Sequence, residues 1–66
     1  MDDIDIWRSA NQFIKMHGDD AAVVAANLAD ARLEDGDMGG FRVWQRIVAA
    51  INELNRTKPS AGEPTN

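Results

Sequence analysis

Few side chains in this 66-residue sequence could perform chemistry, and the single histidine, His17, is the first candidate. Histidine is the usual general base near neutral pH, and Asp19 or Asp20 could orient it. The chain has no cysteine or tyrosine, however, and Ser9 is the only serine before residue 58, so a nucleophile with a base and an orienting group is hard to assemble. A histidine at a helix end, where its cation meets the last carbonyl groups, explains His17 better. We therefore predict no catalytic residue and no enzyme activity.

The acidic run 34–37 contains the residue types of a calcium loop. If Gly36 occupied the sixth position of such a loop, Ala31 and Leu33 would stand at the first and third positions, and Arg42 would replace the bidentate glutamate. The glycines that follow lack the Lys-Ser/Thr pair of a phosphate-binding loop. One histidine and no cysteine also exclude the common zinc sites. The sequence predicts no metal, no cofactor and no evident small-molecule substrate.

The charge is unevenly distributed along the chain. Residues 1–37 contain nine acidic and three basic residues, a balance of −6, whereas residues 38–66 contain two acidic and four basic residues, a balance of +2. A solvated acidic surface is the simplest interpretation, and contact with a basic partner is the alternative. Arg42, Arg46 and Arg56 share one exposed side of a predicted helix, but nucleic-acid binding normally requires a basic field. We expect no nucleic-acid partner.

Three helices, at about 3–17, 20–35 and 38–56, account for the periodicity of the chain. Glycine ends the first two helices at Gly18 and Gly36, and aspartate follows each glycine as a candidate N-cap. Gly40 near the start of the third helix indicates either a close approach of another group or a frayed helix start. The predicted fold is all-α, a small three-helix bundle forming one domain over residues 1–56.

Apolar residues mark the faces that these helices should bury. The second helix is rich in alanine and apolar around most of its circumference, so we expect it in the middle of the packing. The third helix has the broadest apolar face. The residues predicted to form the core or a subunit interface are Trp7, Phe13, Phe41, Trp44, Ile47, Val48, Ile51 and Leu54.

The remaining segment, 57–66, contains two prolines and no apolar periodicity, and its composition predicts disorder. No run approaches the ~18 apolar residues of a membrane span, and the acidic N-terminus does not resemble a secretory signal. We expect a cytoplasmic protein without a membrane partner.

Because a chain of this size buries only ~60% of its unfolded surface and has no disulfide, oligomerisation is the source of extra stability left open.

One group of proteins shares a pattern with this chain. The shared residues are His17-Gly18-Asp-x-Ala21, then Ala25 and Ala29 with Asp30, then Gly36-Asp37-x-x-Gly40-x-x-Val43-Trp44-x-Arg46-Ile47-x-x-Ala50-Ile51-x-x-Leu54. Over about residues 6–56 the chain resembles very small helical bacterial proteins of unknown function found in alphaproteobacteria. The resemblance implies a three-helix cytoplasmic protein and supplies no site residues.

The leading functional hypothesis is a non-catalytic protein–protein interaction module that binds itself or another protein through its third helix. The surplus of apolar surface on the second and third helices motivates it. The alternative hypothesis is an acidic regulator or inhibitor that occupies a basic surface of its partner. A helix-turn-helix DNA binder and an enzyme rank behind both.

Overall fold

The structure, a computed structural model, describes residues 3–57, and all of its regular secondary structure is helical. Helix α1 comprises Asp3–His17, a 3₁₀ turn comprises Gly18–Asp20, α2 comprises Ala21–Glu34 and α3 comprises Met38–Thr57. The prediction of a small all-α fold is confirmed. The prediction of three separate helices needs correction, because α1 continues through the 3₁₀ turn into α2. Counted as continuous runs of helical residues, the described chain therefore has two, 3–34 and 38–57, joined by residues 35–37.

The first junction is a three-residue 3₁₀ turn between α1 and α2. Gly18, the predicted end of the first helix, adopts the left-handed conformation, with φ of 58°, and the backbone N–H of Ala21 donates to the carbonyl of Gly18. Asp20 occupies the N-cap position of α2 but its side chain makes no capping hydrogen bond. Its backbone is helical, with φ of −88° and ψ of −3°, whereas a capping residue usually adopts an extended conformation. The 3₁₀ turn therefore takes the place of a side-chain cap.

The second junction is a glycine-terminated helix end followed directly by a capped helix. Gly36 has φ of 76°, and its N–H donates to the carbonyl of Leu33 at 3.0 Å. The N–H of Asp37 donates to the carbonyl of Arg32 at 2.9 Å, which completes a Schellman motif. Asp37 Oδ1 then accepts a hydrogen bond of 2.9 Å from the N–H of Gly40. The predicted helix end at Gly36 and N-cap at Asp37 are confirmed.

The core is built from small and β-branched side chains. Its buried members are Ile6, Ala10, Ala21, Ala25, Ile47, Ala50 and Ile51. Alanine at four of these seven positions lets the helix backbones approach closely, since no long side chain separates them. A close-packed core therefore forms without any fully buried aromatic residue among residues 3–57.

Helix α3, not α2, is the element that holds the fold together. It packs against both α1 and α2, whereas α1 and α2 contact each other much less. Helix α2 buries a single stripe at four-residue spacing, Ala21, Ala25 and Ala29, while Val23 is 61% exposed and Leu33 46% exposed. The prediction that α2 lies in the middle, buried on more than one side, is wrong. Alanine has the highest helix propensity and exposes little apolar area, so an alanine-rich helix need not bury its whole apolar circumference.

The predicted boundary at residue 57 differs slightly from the observed helix end, because Thr57 is the last residue of α3. The rest of the segment predicted to be disordered, 58–66, lies outside the described residues. Within the described helices, no segment is long and apolar enough to cross a membrane.

Candidate functional site

The outward face of α3 lies between two open grooves, one formed with α1 and the other with α2. The α1–α3 groove has a volume of about 410 Å³ and the α2–α3 groove about 460 Å³. Ala49 is exposed and lines both of them. A small side chain thus sits where the two grooves meet, and a neighbouring helix could approach α3 closely at this point.

The α1–α3 groove combines an apolar wall with a charged rim. Its wall includes Trp7, which is 41% exposed, together with Ala49. At its rim, Arg46 Nη2 donates a hydrogen bond to Asp3 Oδ1, which ties the start of α1 to α3. Glu53 adds a second carboxylate to the lining. This arrangement suits an apolar side chain flanked by charged groups.

The α2–α3 groove is apolar with three polar groups. Its complete lining is Ala26, Ala29 and Asp30 from α2 with Phe41, Gln45, Val48, Ala49 and Asn52 from α3. The carboxamides of Gln45 and Asn52 can donate and accept hydrogen bonds, and Asp30 supplies a carboxylate. Asp30 makes no ion pair with any described residue. A ligand for this groove would therefore present apolar groups and a cation.

The eight residues predicted as core or interface separate into two sets. Ile47 and Ile51 are buried, and four partly buried residues pack against the core with them, namely Phe13, Trp44, Val48 and Leu54. The other two line the grooves: Trp7 is exposed in the α1–α3 groove, and Phe41 is partly buried in the α2–α3 groove. Val48 belongs to both sets, because it also lines the α2–α3 groove.

Sequence reasoning did not identify Ala49 or Ile4. Ala49 lies on the exposed side of α3, and an exposed alanine carries no signal by itself. Ile4 is 66% exposed, three residues before Trp7, and this spacing on a helix could have indicated a second apolar patch beside the predicted stripe.

His17 belongs to an aromatic cluster. Its ring lies 4.9 Å from that of Phe13, centroid to centroid, and Phe13 makes an edge-to-face contact with Trp44 at 5.3 Å. No described carboxylate forms an ion pair with His17. The cluster joins the C-terminal half of α1 to α3, and packing accounts for its geometry.

Two of the three arginines on the exposed side of α3 are paired within the chain. Arg46 pairs with Asp3, and Arg56 lies 3.6 Å from Glu53 one turn away. Arg42 is exposed and forms no ion pair with the part of the chain that the structure describes. The charges of Arg46 and Arg56 are therefore partly balanced by carboxylates of the same chain.

Over residues 3–57, no group of three or more histidine, aspartate or glutamate side chains is arranged to hold a metal ion. No family model matches the chain, and no curated protein or solved structure matches it significantly either. The resemblance to the alphaproteobacterial proteins therefore stays a prediction, and the two grooves and their charges are the features of the molecule that bear on its function.

Proposed function

We propose that this chain is a non-catalytic protein–protein interaction module that associates with a second copy of itself through the exposed face of α3. The observation that carries the proposal is the position of Ala49, exposed at the junction of two open grooves with apolar walls. Helices pack by inserting ridges of side chains into grooves, and a small residue at the contact point allows the closest approach.

The exposed tryptophan supports an interface on this face. Trp7 remains 41% exposed although it lies beside the core residue Ile6. Tryptophan is enriched among the residues that dominate binding energy at protein interfaces. Covering a large apolar side chain completely contributes ~1.5–3 kcal/mol, a substantial amount for so small a domain.

The charges around the face are mixed and suit self-association. Arg42, Arg46 and Glu53 all lie on the exposed side of α3, and Asp3 and Asp30 border it from α1 and α2. A surface that carries both signs can pair with a copy of itself, whereas a surface of one sign would repel its copy.

The contact of His17 with an aromatic ring, in place of a carboxylate, supports a non-catalytic role. We keep the cytoplasm as the proposed location.

Sedimentation equilibrium over a wide concentration range tests the proposal with a matched pair of variants. Ala49→Arg places a long cation at the junction of the grooves, and Ala31→Arg places the same side chain on an exposed part of α2 that lines neither groove. We expect the wild type and Ala31→Arg to associate with concentration and Ala49→Arg to remain monomeric. Equal circular dichroism spectra would show that all three fold. A monomeric wild type, or association of Ala49→Arg equal to that of Ala31→Arg, would contradict the proposal.

A second candidate function has one observation in its favour. Five exposed carboxylates on and beside α2 form no ion pair with the described residues, namely those of Asp19, Asp20, Asp30, Glu34 and Asp35. Such a surface suits an acidic regulator that covers a basic groove of another protein. Its complex with that protein would weaken steeply as salt rises from low to physiological concentration. Salt-insensitive binding to a captured partner would remove this candidate.

A further inference from the structure

One face of α1 carries apolar side chains that stay exposed and basic side chains that form no ion pair with another described residue. Ile4 is 66% exposed and Trp7 41% exposed, and their spacing of three residues puts them side by side on the helix. Arg8 and Lys15 are exposed at positions that continue the same side, and neither forms an ion pair with another described residue. We call Ile4, Trp7, Arg8 and Lys15 the α1 stripe.

The α2–α3 groove has the opposite character. It offers apolar walls from Ala26, Phe41 and Val48, and among residues 3–57 the one charged group that lines it is the carboxylate of Asp30. The α1 stripe is complementary to this groove. Its apolar pair matches the apolar walls, and the adjacent cation matches the carboxylate. Opposite charges across a contact fix its register and suppress wrong partners.

The α1 stripe and the α2–α3 groove also have the same length. From Phe41 to Asn52 the groove follows twelve residues of α3, and from Ile4 to Lys15 the stripe follows twelve residues of α1, so each spans eleven helical rises. At a rise of ~1.5 Å per residue, each extends for ~17 Å. The stripe can therefore occupy the whole groove.

We propose that the α1 stripe of a second copy docks in the α2–α3 groove, with the guanidinium of Arg8 from one copy paired with the carboxylate of Asp30 from the other. This inference rests on the proposed function and specifies its contact. Ala49 lines the α2–α3 groove and, together with Trp7, the α1–α3 groove, so each copy can present its stripe and its groove to the other. The exchange is reciprocal and closes as a two-fold dimer, without an open chain of subunits.

Charge reversal with rescue tests the contact, again by sedimentation equilibrium. Asp30→Lys should raise the dissociation constant of the dimer by about tenfold or more, since two cations would then face each other. Glu34→Lys is the matched control: it makes the same charge change one turn further along α2, at an exposed residue outside the groove, and should change the constant by less than about twofold. Arg8→Glu alone should weaken association, and combining it with Asp30→Lys should restore association to near the wild-type value.

The outcomes separate this inference from the proposed function. If Ala49→Arg abolishes association while Asp30→Lys behaves like Glu34→Lys, the dimer uses the α3 face but not this contact, and the inference is wrong. Weakening by Asp30→Lys without rescue by Arg8→Glu also overturns it. A wild-type chain that is monomeric at all concentrations removes the proposed function and this inference together.

Discussion

At the scale of single residues, Gly40 shows how a helix start depends on the absence of a side chain. A Cβ atom at Gly40 would overlap the Oδ2 atom of Asp37 and lie 2.9 Å from its Cγ. That carboxylate accepts the hydrogen bond that caps α3. At Gly39 the nearest atom to an added Cβ is Oδ1 of Asp37, at an ordinary 3.9 Å. The two neighbouring glycines thus have different roles, and the close approach predicted at Gly40 is that of the Asp37 side chain.

We therefore predict that the same substitution stabilises the fold at only one of these two positions. Gly39→Ala should stabilise the fold by about 0.5–1 kcal/mol, because alanine loses less backbone entropy in a helix than glycine. Gly40→Ala should lose that gain, because the new methyl group displaces the Asp37 carboxylate and a lost cap costs about 1 kcal/mol. Urea unfolding followed by circular dichroism measures both. Equal stabilisation by the two substitutions would show that the Asp37 cap tolerates the methyl group.

At the scale of elements, the contact between α2 and α3 is the most extensive in the described chain. The buried residues of α2 are Ala21, Ala25 and Ala29, which follow one another at four-residue spacing. Residues four apart lie on one helix face, so these three make a continuous strip of small side chains. The close approach of the two helices depends on this strip.

Enlarging the strip should destabilise the protein. Ala25→Leu adds a branched side chain where Ala25 is 0% exposed, and overpacking of this kind costs about 1–3 kcal/mol. Ala31→Leu is the matched control on the exposed side of the same helix, and we expect a change below about 0.5 kcal/mol. Thermal unfolding of both variants at one concentration provides the comparison. A melting temperature for Ala25→Leu equal to that of Ala31→Leu would mean that α2 can move away from α3 without cost.

At the scale of the whole molecule, a core of alanine and isoleucine is a modest source of stability. Small domains bury a low fraction of their surface, ~60% at this length. Large apolar side chains stay exposed on every helix, including Ile4 on α1, Val23 on α2 and Met38 on α3. A second copy that covers Ile4 and Trp7 would add burial that a single chain of this size lacks.

Self-association then predicts a concentration-dependent thermal midpoint. For a folded dimer that unfolds to monomers, a hundredfold increase in protein concentration should raise the midpoint by about 5–10 °C. Ala49→Arg should melt lower and at a midpoint that does not change with concentration. A constant midpoint for the wild type over the same range would show that association contributes nothing to its stability.

Local features of the fold were predictable because short-range chemistry determines them. The all-α class follows from apolar periodicity, and the left-handed conformations of Gly18 and Gly36 follow from the ease with which glycine adopts a positive φ. The N-cap at Asp37 follows from a side chain that reaches an N–H three residues ahead. Each involves atoms a few residues apart, so the sequence alone contains enough information.

The arrangement of the helices was not predictable to the same degree, because it depends on contacts between residues far apart in the chain. Periodicity shows which faces of a helix are apolar, but it does not show which neighbour covers each face. For that reason α2 appeared central in the sequence, whereas packing made α3 the shared partner and left Val23 exposed. Among the aromatic residues, the same packing buried part of Trp44 against Phe13 and placed Trp7 on a groove wall. The exposed position of Ala49 between two grooves likewise arises only when α1 and α2 flank α3, since a groove exists only between elements that have already packed.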